Sequence, residues 1–230
     1  MIINFLALIP ARMGSKRIKR KNLIKLGNKK LIQYTFESSI KSKKIDKILL
    51  STDDPIVIKL GKKFKVDFII KRPQKFSKEN TSMEVVIDHT LEFLKNHGIK
   101  VKNIILLQPT TPFRTSGDID RMIEYYKRKK LNYCVSVSSP ITNSLEIFHT
   151  KNRFINLNQN KKYKNYKHLF LNGSIYIFKV ENFLKNKKIL TPKVNYFVQG
   201  LNNSIDINNN LDLEIAESFK NQMKNYEITY

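Results

Sequence analysis

The chain has 230 residues, 41% of them hydrophobic, and its 43 Lys and Arg against 19 Asp and Glu give a formal net charge of +24. This length and apolar content allow one full hydrophobic core, and no apolar run approaches the roughly 18 residues of a membrane-spanning helix. A single cysteine, Cys134, excludes an intrachain disulfide. Residues 1–10 lack the basic leader and cleavage site of a signal peptide, which predicts a cytoplasmic protein.

The first distinctive feature is an apolar run at residues 5–9 that leads, through a proline, into a loop crowded with cations. Such a run predicts a strand covered on both faces in a parallel sheet, and open sheets of this kind bind ligands at the carboxyl ends of their strands. Gly14 would let the backbone approach a phosphate, with Arg12, Lys16 and Lys21 around it. The spacing matches neither common nucleotide-binding signature, so these residues alone predict either a phosphate-binding loop or an exposed basic turn.

Helical and strand patterns then alternate along the chain. Helices are predicted at residues 31–40, 55–64, 82–97, 118–129, 180–186 and 211–224, and strands at 47–50, 67–70, 103–107, 133–138, 170–178 and 204–207. Asp54 is expected to cap the second helix, with Pro55 at its first position. This alternation predicts an α/β fold with a mostly parallel sheet.

Residues 139–168 interrupt the alternation and include a cluster of basic and aromatic residues at 160–168. They predict a small insertion into a main domain formed by residues 1–138 and 169–230. Interleaved basic and aromatic side chains can bind single-stranded nucleic acid. Because this cluster is short and the other lysines are scattered, we favour an arm that contacts a partner subunit or an acidic substrate, with no dedicated nucleic-acid role.

The predicted strand ends share polar side chains that the sheet would bring to one edge: Arg12, Asp53, Arg72, Gln108, Asn172 and Asp206. Cations neutralise phosphate charge, and a carboxylate is useful beside phosphates mainly when a divalent cation lies between them. This combination indicates a site for a nucleoside triphosphate and its metal.

The chain resembles the acylneuraminate cytidylyltransferases, also called CMP-sialic acid synthetases. The motifs that carry the resemblance occur in the family's order: Ile9-Pro-Ala-Arg-Met-Gly-Ser-Lys16, Lys21-Asn22, Ser51-Thr-Asp53, Arg72-Pro73, Leu107-Gln-Pro-Thr-Thr-Pro-Phe-Arg114, Asn172-Gly-Ser-Ile-Tyr176 and Ser204-Ile-Asp206. The resemblance implies a Rossmann-like fold of the nucleotide-diphospho-sugar transferase type. It also implies a homodimer in which the inserted arm reaches over the partner's sugar site. The implied reaction joins a nonulosonic acid, a nine-carbon acidic sugar, to CTP with Mg²⁺, and gives a CMP-sugar and pyrophosphate.

The resemblance also implies roles for individual residues. The nucleotide would contact Arg12, Ser15, Lys16, Lys21, Asn22, Arg72 and Ser82, and the sugar would contact Gln108, Asn172, Tyr176 and Lys162. Asp206 would bind the metal, and with Arg12 and Lys21 it would form the catalytic set. Asn208 stands where the family usually has a second aspartate, so it would be a neutral metal ligand through its carbonyl oxygen. The resemblance identifies no general base, because neither His149 nor His168 aligns with a known role.

Three other functions share features with this sequence. Cytidylyltransferases for a related eight-carbon acid sugar share the opening motif but place Gln-Gly-Asp/Glu where this chain has Gln108-Pro109-Thr110. This mismatch argues against that activity. A CMP-legionaminate or CMP-pseudaminate synthetase is an open possibility, because these sugars share the carboxylate and the keto-sugar core. A basic nucleic-acid-binding protein is the alternative from a different functional class.

Overall fold

The computed structural model describes residues 1–139, 150–151, 154–155, 169–192 and 194–227. Most of the predicted insertion, including Lys162, His149 and His168, lies outside the described residues. The division into a main domain and an arm therefore stays a prediction.

A seven-stranded sheet forms the centre of the molecule, in the order β11-β7-β10-β6-β1-β4-β5. Two short hairpins, β2 with β3 and β8 with β9, lie outside this sheet. The strands are β1 (Ile2–Pro10), β2 (Lys25–Leu26), β3 (Lys29–Lys30), β4 (Lys47–Thr52), β5 (Phe68–Lys71), β6 (Lys100–Leu107), β7 (Tyr133–Ser138), β8 (Thr150–Lys151), β9 (Phe154–Ile155), β10 (Phe170–Lys179) and β11 (Asn195–Val198). All neighbours in the large sheet are parallel except that β10 runs antiparallel to both β6 and β7. The predicted α/β, mostly parallel fold is confirmed.

Helices cover both faces of this sheet. They are α1 (Leu31–Ile40), α2 (Pro55–Lys63), α3 (Met83–Asn96), α4 (Ser116–Arg128), α5 (Val180–Asn186) and α6 (Asn210–Glu227). One apolar cluster packs α1, α2 and α4 against one face, and a second packs α3 and α5 against the other. No helix among the described residues is both long and apolar enough to cross a bilayer.

The central strand β1 explains why its sequence is apolar without alternation. Ala7 and Ile9 belong to the first cluster, Leu6 and Leu8 to the second, and all four are fully buried. A strand covered by helices on both faces needs apolar side chains in both directions. The same burial fixes the carboxyl end of β1. The basic loop that follows β1 therefore starts where the carboxyl ends of the parallel strands lie together.

The strand predicted at residues 204–207 is wrong. Leu201–Ser204 forms a 3-10 helix, and the segment after it has no regular structure. Its alternating isoleucines, Ile205 and Ile207, instead pack into a small third cluster beside α6. The backbone N–H of Ile207 donates to the carbonyl oxygen of Thr110 at 2.8 Å, outside any sheet ladder. Within the large sheet, the strand that the sequence pattern missed is β11, a short and partly exposed edge strand.

Candidate active site

A cavity of about 280 Å³ opens at the carboxyl ends of the central parallel strands. It is lined by Pro10, Arg12, Gly14, Ser15, Lys21, Asn22, Arg72, Lys78, Glu79, Thr81, Met83, Val86, Gln108, Pro109 and Thr110. Six of the predicted site residues are in this set: Arg12, Ser15, Lys21, Asn22, Arg72 and Gln108. The fold thus brings together cations that are up to 66 positions apart in the sequence (Arg12 and Lys78).

The basic loop after β1 is held from two sides. Asn22 donates from Nδ2 to the carbonyl oxygen of Arg12 at 2.8 Å, and Asp53 accepts from the backbone N–H of Met13 at 2.7 Å. Asp53, which the sequence placed at a strand end without a defined partner, therefore anchors this loop. An added Cβ at Gly14 would meet no heavy atom within 4 Å, so protein packing alone does not require glycine there.

Arg72 presents a permanent charge from a buried position. Its Nε donates to Ser51 Oγ at 3.1 Å and its Nη2 to the carbonyl oxygen of Ser51 at 2.7 Å. Burial lowers the pKa of Arg72 to about 10, and the charge of Asp53 opposes that shift. The guanidinium is therefore still protonated at neutral pH, with its orientation fixed before any ligand binds.

Two predicted nucleotide ligands, Lys16 and Ser82, do not line the cavity and are engaged by other groups of the protein. Lys16 forms an ion pair with Glu79, with 2.7 Å between Nζ and Oε2, and its side chain is 79% exposed. Ser82 caps α3, and its Oγ accepts from the backbone N–H of Val85 at 3.4 Å. Its neighbours Thr81 and Met83 line the cavity instead. The roles of Lys16 and Ser82 as nucleotide contacts stay predictions.

Lys21, which lines the cavity, forms one connected group with Asp206 and Asn208. Lys21 Nζ donates to the carbonyl oxygen of Ile207 at 3.1 Å and to Asn208 Oδ1 at 3.4 Å. Asn208 Nδ2 donates to Asp206 Oδ2 at 2.7 Å. Burial lowers the pKa of Lys21 below that of a free lysine, while the nearby Asp206 carboxylate opposes the shift. The predicted catalytic pair of Lys21 and Asp206 is thus adjacent, with Asn208 as the bridge.

Gly173 lies close to both an acid and an amide beside this group. Its φ of +69° is in the left-handed region that glycine tolerates. A Cβ there would lie 3.6 Å from Asp206 Oδ2 and 4.0 Å from Gln108 Oε1. Tyr176 is on the same strand, and burial, together with the charge of Asp206, raises its pKa to about 12. The predicted sugar-side residues Gln108 and Tyr176 therefore lie near the predicted metal ligand.

Asn172 occupies a different kind of position, because its amide is fully used inside the protein. Its Oδ1 accepts from Ser136 Oγ at 2.6 Å and from the Ser174 backbone N–H at 3.1 Å. Its Nδ2 donates to Gln199 Oε1 at 3.0 Å and to Ser204 Oγ at 2.9 Å. Through Ser204, the Asn172 side chain supports the segment that leads to Asp206. Contact between Asn172 and a sugar stays a prediction.

The sequence reasoning did not assign a role to Arg114, whose side chain is fully buried under the site. One of its terminal nitrogens donates to the carbonyl oxygens of Gln108 and Ser174, at 3.2 and 2.8 Å, and to Thr111 Oγ1 at 2.9 Å. The other donates to Thr35 Oγ1 at 2.9 Å. Arg114 thus ties the loop after β6 to β10 and α1. Since these acceptors are scattered through the sequence, only the folded structure reveals the connection.

The position of the Asp206 carboxylate fits a divalent cation. Asp206 Oδ1 is buried and has no hydrogen-bond partner in the described structure, which is costly for a carboxylate unless a cation or another donor faces it. No three His, Cys, Asp or Glu side chains among the described residues cluster as a complete metal site. A cation here would therefore take most of its ligands from elsewhere, as Mg²⁺ does when it binds through one or two carboxylates and substrate phosphates.

Comparison with known proteins assigns the family. A sequence model described as cytidylyltransferase matches residues 6–228. The chain belongs to this cytidylyltransferase family. Curated relatives confirm the resemblance to acylneuraminate cytidylyltransferases that the motifs predicted.

Three relatives have different names at similar levels of identity. N-acylneuraminate cytidylyltransferase of Escherichia coli is 29% identical, with coverage of 98% of this chain and 54% of the relative. The CMP-N,N'-diacetyllegionaminic acid synthase of Legionella pneumophila is 28% identical, with coverage of 94% and 95%. A pseudaminic acid cytidylyltransferase of Campylobacter jejuni is 26% identical, with coverage of 92% and 94%. The chain therefore spans about half of the first relative and nearly all of the other two.

Solved cytidylyltransferases share the fold. A CMP:2-keto-3-deoxy-manno-octonic acid synthetase complexed with CTP superposes with a TM-score of 0.71 at 17% identity, covering 96% of this chain and 99% of that one. A 4-diphosphocytidyl-2C-methyl-D-erythritol synthase from Anaerococcus prevotii gives a TM-score of 0.67 at 15% identity, covering 95% and 99%. At these identities the likeness establishes the architecture alone.

Proposed function

We propose that this chain transfers CMP from CTP to a nonulosonic acid and releases pyrophosphate. The observation that carries the proposal is the shared cleft, in which Arg12, Lys21 and Arg72 lie together and Asp206 adjoins Lys21. An exposed basic turn that bound no ligand would not need a buried carboxylate beside its cations. Family membership supports the same conclusion and disfavours the nucleic-acid-binding alternative.

In the proposed reaction the anomeric hydroxyl oxygen attacks the α-phosphorus of CTP. The bond from that phosphorus to the oxygen bridging the β-phosphate breaks, pyrophosphate leaves with the electron pair, and the hydroxyl proton passes to water. Arg12 and Arg72 bind and neutralise phosphate oxygens, and Lys21 stabilises the charge that develops as pyrophosphate leaves. Gln108 and Tyr176 orient the sugar.

We propose Mg²⁺ as the cation, with Asp206 as its protein ligand. When bound, it neutralises phosphate charge that the basic side chains do not reach. We further propose a cytoplasmic homodimer, in which residues 139–168 contact the partner's sugar. Light scattering on the purified chain tests the dimer, and a monomer at micromolar concentration would contradict it.

The central experiment measures pyrophosphate release from each of the four nucleoside triphosphates with sialic, legionaminic and pseudaminic acids. We expect turnover with CTP only, and with one acid strongly preferred. Lys21→Ala should lose about 100-fold or more in kcat with its melting temperature retained. Lys19→Ala is the matched control, because Lys19 is an exposed lysine of the same loop outside the cavity. Equal activity of the two variants would contradict the phosphate assignment.

A further inference from the structure

Asn208 is held in place by contacts on both its backbone and its side chain. Its backbone N–H donates to Asp212 Oδ2 at 2.7 Å, and Asp212 Oδ2 also accepts from the backbone N–H of Asn209 at 3.0 Å. This arrangement ties the residue to the first turn of α6. The side chain is therefore positioned before any ligand arrives.

The amide of Asn208 matches its two neighbours in only one orientation. Its NH₂ group faces the carboxylate of Asp206 and its oxygen faces the ammonium of Lys21. An amide carries both a donor and an acceptor, whereas a carboxylate carries only acceptors at neutral pH. A carboxylate at this position would place two anionic oxygens side by side and would pair directly with Lys21.

These contacts leave Asp206 with one free oxygen. Oδ2 accepts from Asn208, while Oδ1 is buried without a partner in the described structure. The oxygen of Asn208, the atom through which an amide would bind a metal, is directed at Lys21. Asn208 is therefore placed to orient its neighbours and not to bind the cation itself.

We propose that Asn208 is a positioning residue that restricts Asp206 to one cation-binding oxygen and keeps the charge of Lys21 available for phosphate. This inference rests on the proposed function of the cleft. Because one carboxylate oxygen is a poor site for a divalent cation by itself, the nucleotide-free protein binds the cation weakly. The cation then enters the site together with the nucleotide that supplies its remaining ligands.

The test is Mn²⁺ binding to the nucleotide-free protein, measured from the free Mn²⁺ signal in electron paramagnetic resonance. Asn208→Asp should bind Mn²⁺ at least 10-fold more tightly than the wild type, because it adds a carboxylate and removes the donor that occupies Asp206 Oδ2. Asn208→Ala should also bind more tightly, by about threefold, since it frees that oxygen. A direct ligand role predicts weaker binding in Asn208→Ala, and unchanged or weaker binding there overturns the proposal. Asp206→Asn is the control that should abolish the Mn²⁺ signal change.

A second measurement reports on Lys21. In EDTA, Asn208→Asp should bind CTP several-fold more weakly than the wild type, because the new carboxylate pairs with the ammonium of Lys21, and equal affinity overturns that part of the proposal. Circular dichroism confirms that each variant is folded. If the wild type failed to bind CTP even with Mn²⁺, the proposed function would fail, whereas the nucleotide-free Mn²⁺ comparison would still decide the role of Asn208.

Discussion

Replacing Asn172 with aspartate preserves the shape of the side chain but removes both of its donors. Gln199 Oε1, in a residue that is only 3% exposed, then loses its hydrogen bond from position 172. An unsatisfied buried acceptor costs about 1–3 kcal/mol, and burying the new carboxylate adds several kcal/mol that the Ser136 and Ser174 donors offset in part. We expect Asn172→Asp to lower the free energy of unfolding by about 4 kcal/mol at pH 7.

The pH dependence of this loss gives an internal check. Burial raises the pKa of the introduced carboxyl above its unfolded value of about 4. The variant is therefore nearest to the wild type at low pH, where the protonated carboxyl donates one hydrogen bond, and it loses stability as the pH rises through the folded pKa.

Urea unfolding followed by circular dichroism at pH 5 and pH 7 measures both effects. Ser204→Ala, which removes one partner of Asn172, is the control and should cost about 1 kcal/mol. If Asn172→Asp stayed within about 0.5 kcal/mol of the wild type while KM for the acid sugar rose, the side chain would contact the sugar and the buried network would be refuted.

Three further outcomes follow from the site and the core. Glu79→Gln should leave stability unchanged, because its ion pair with Lys16 is exposed. It should tighten CTP binding a few-fold at low ionic strength, and persistence of that gain in 0.5 M NaCl would argue against a charge effect. Asp53→Ala should raise the Kd for CTP about tenfold by releasing the Met13 N–H, as calorimetry would show; an unchanged Kd would mean that this anchor does not preorganise the loop. Burial raises the pKa of Cys134 from 9.0 to about 12, so its stabilising contribution is complete below pH 9 and is lost as the pH rises toward 12. The wild type should therefore lose up to about 1.4 kcal/mol more per pH unit than Cys134→Val in urea unfolding above pH 9, and parallel pH profiles would contradict this.

The sequence predicted those parts of the fold that depend on local pattern. The helix at Leu31–Ile40 and the strand at Tyr133–Ser138 have the predicted bounds, and Asp54 caps α2 with its side chain on the Ile56 N–H at 2.8 Å. In each case the signal is a repeating pattern of apolar residues or a capping residue, and it lies within a few consecutive positions. The cations at strand ends were also predicted, because a parallel sheet collects those ends at one edge.

The parts that could not be predicted depend on partners distant in sequence. The sequence could not reveal that the amide of Asn172 contacts Gln199 and does not face the cleft. That contact forms only because β11 lies beside β7 in the folded sheet. The alternating residues around Ile205 favoured a strand because the third apolar cluster that accepts them is formed only in the folded chain. The same holds for Arg114, whose acceptors come from three elements of the fold.

The reversed direction of β10 has an evolutionary consequence. Ser138, at the end of β7, pairs with Phe170, at the start of β10, so the chain leaves and re-enters the sheet at neighbouring points. Because loop closure depends only weakly on loop length, the intervening segment can be lengthened, shortened or exchanged while the sheet keeps its register. If residues 139–168 contact the sugar as proposed, chimeras that exchange them between relatives should change which acid sugar is accepted while the nucleotide half of the site is retained.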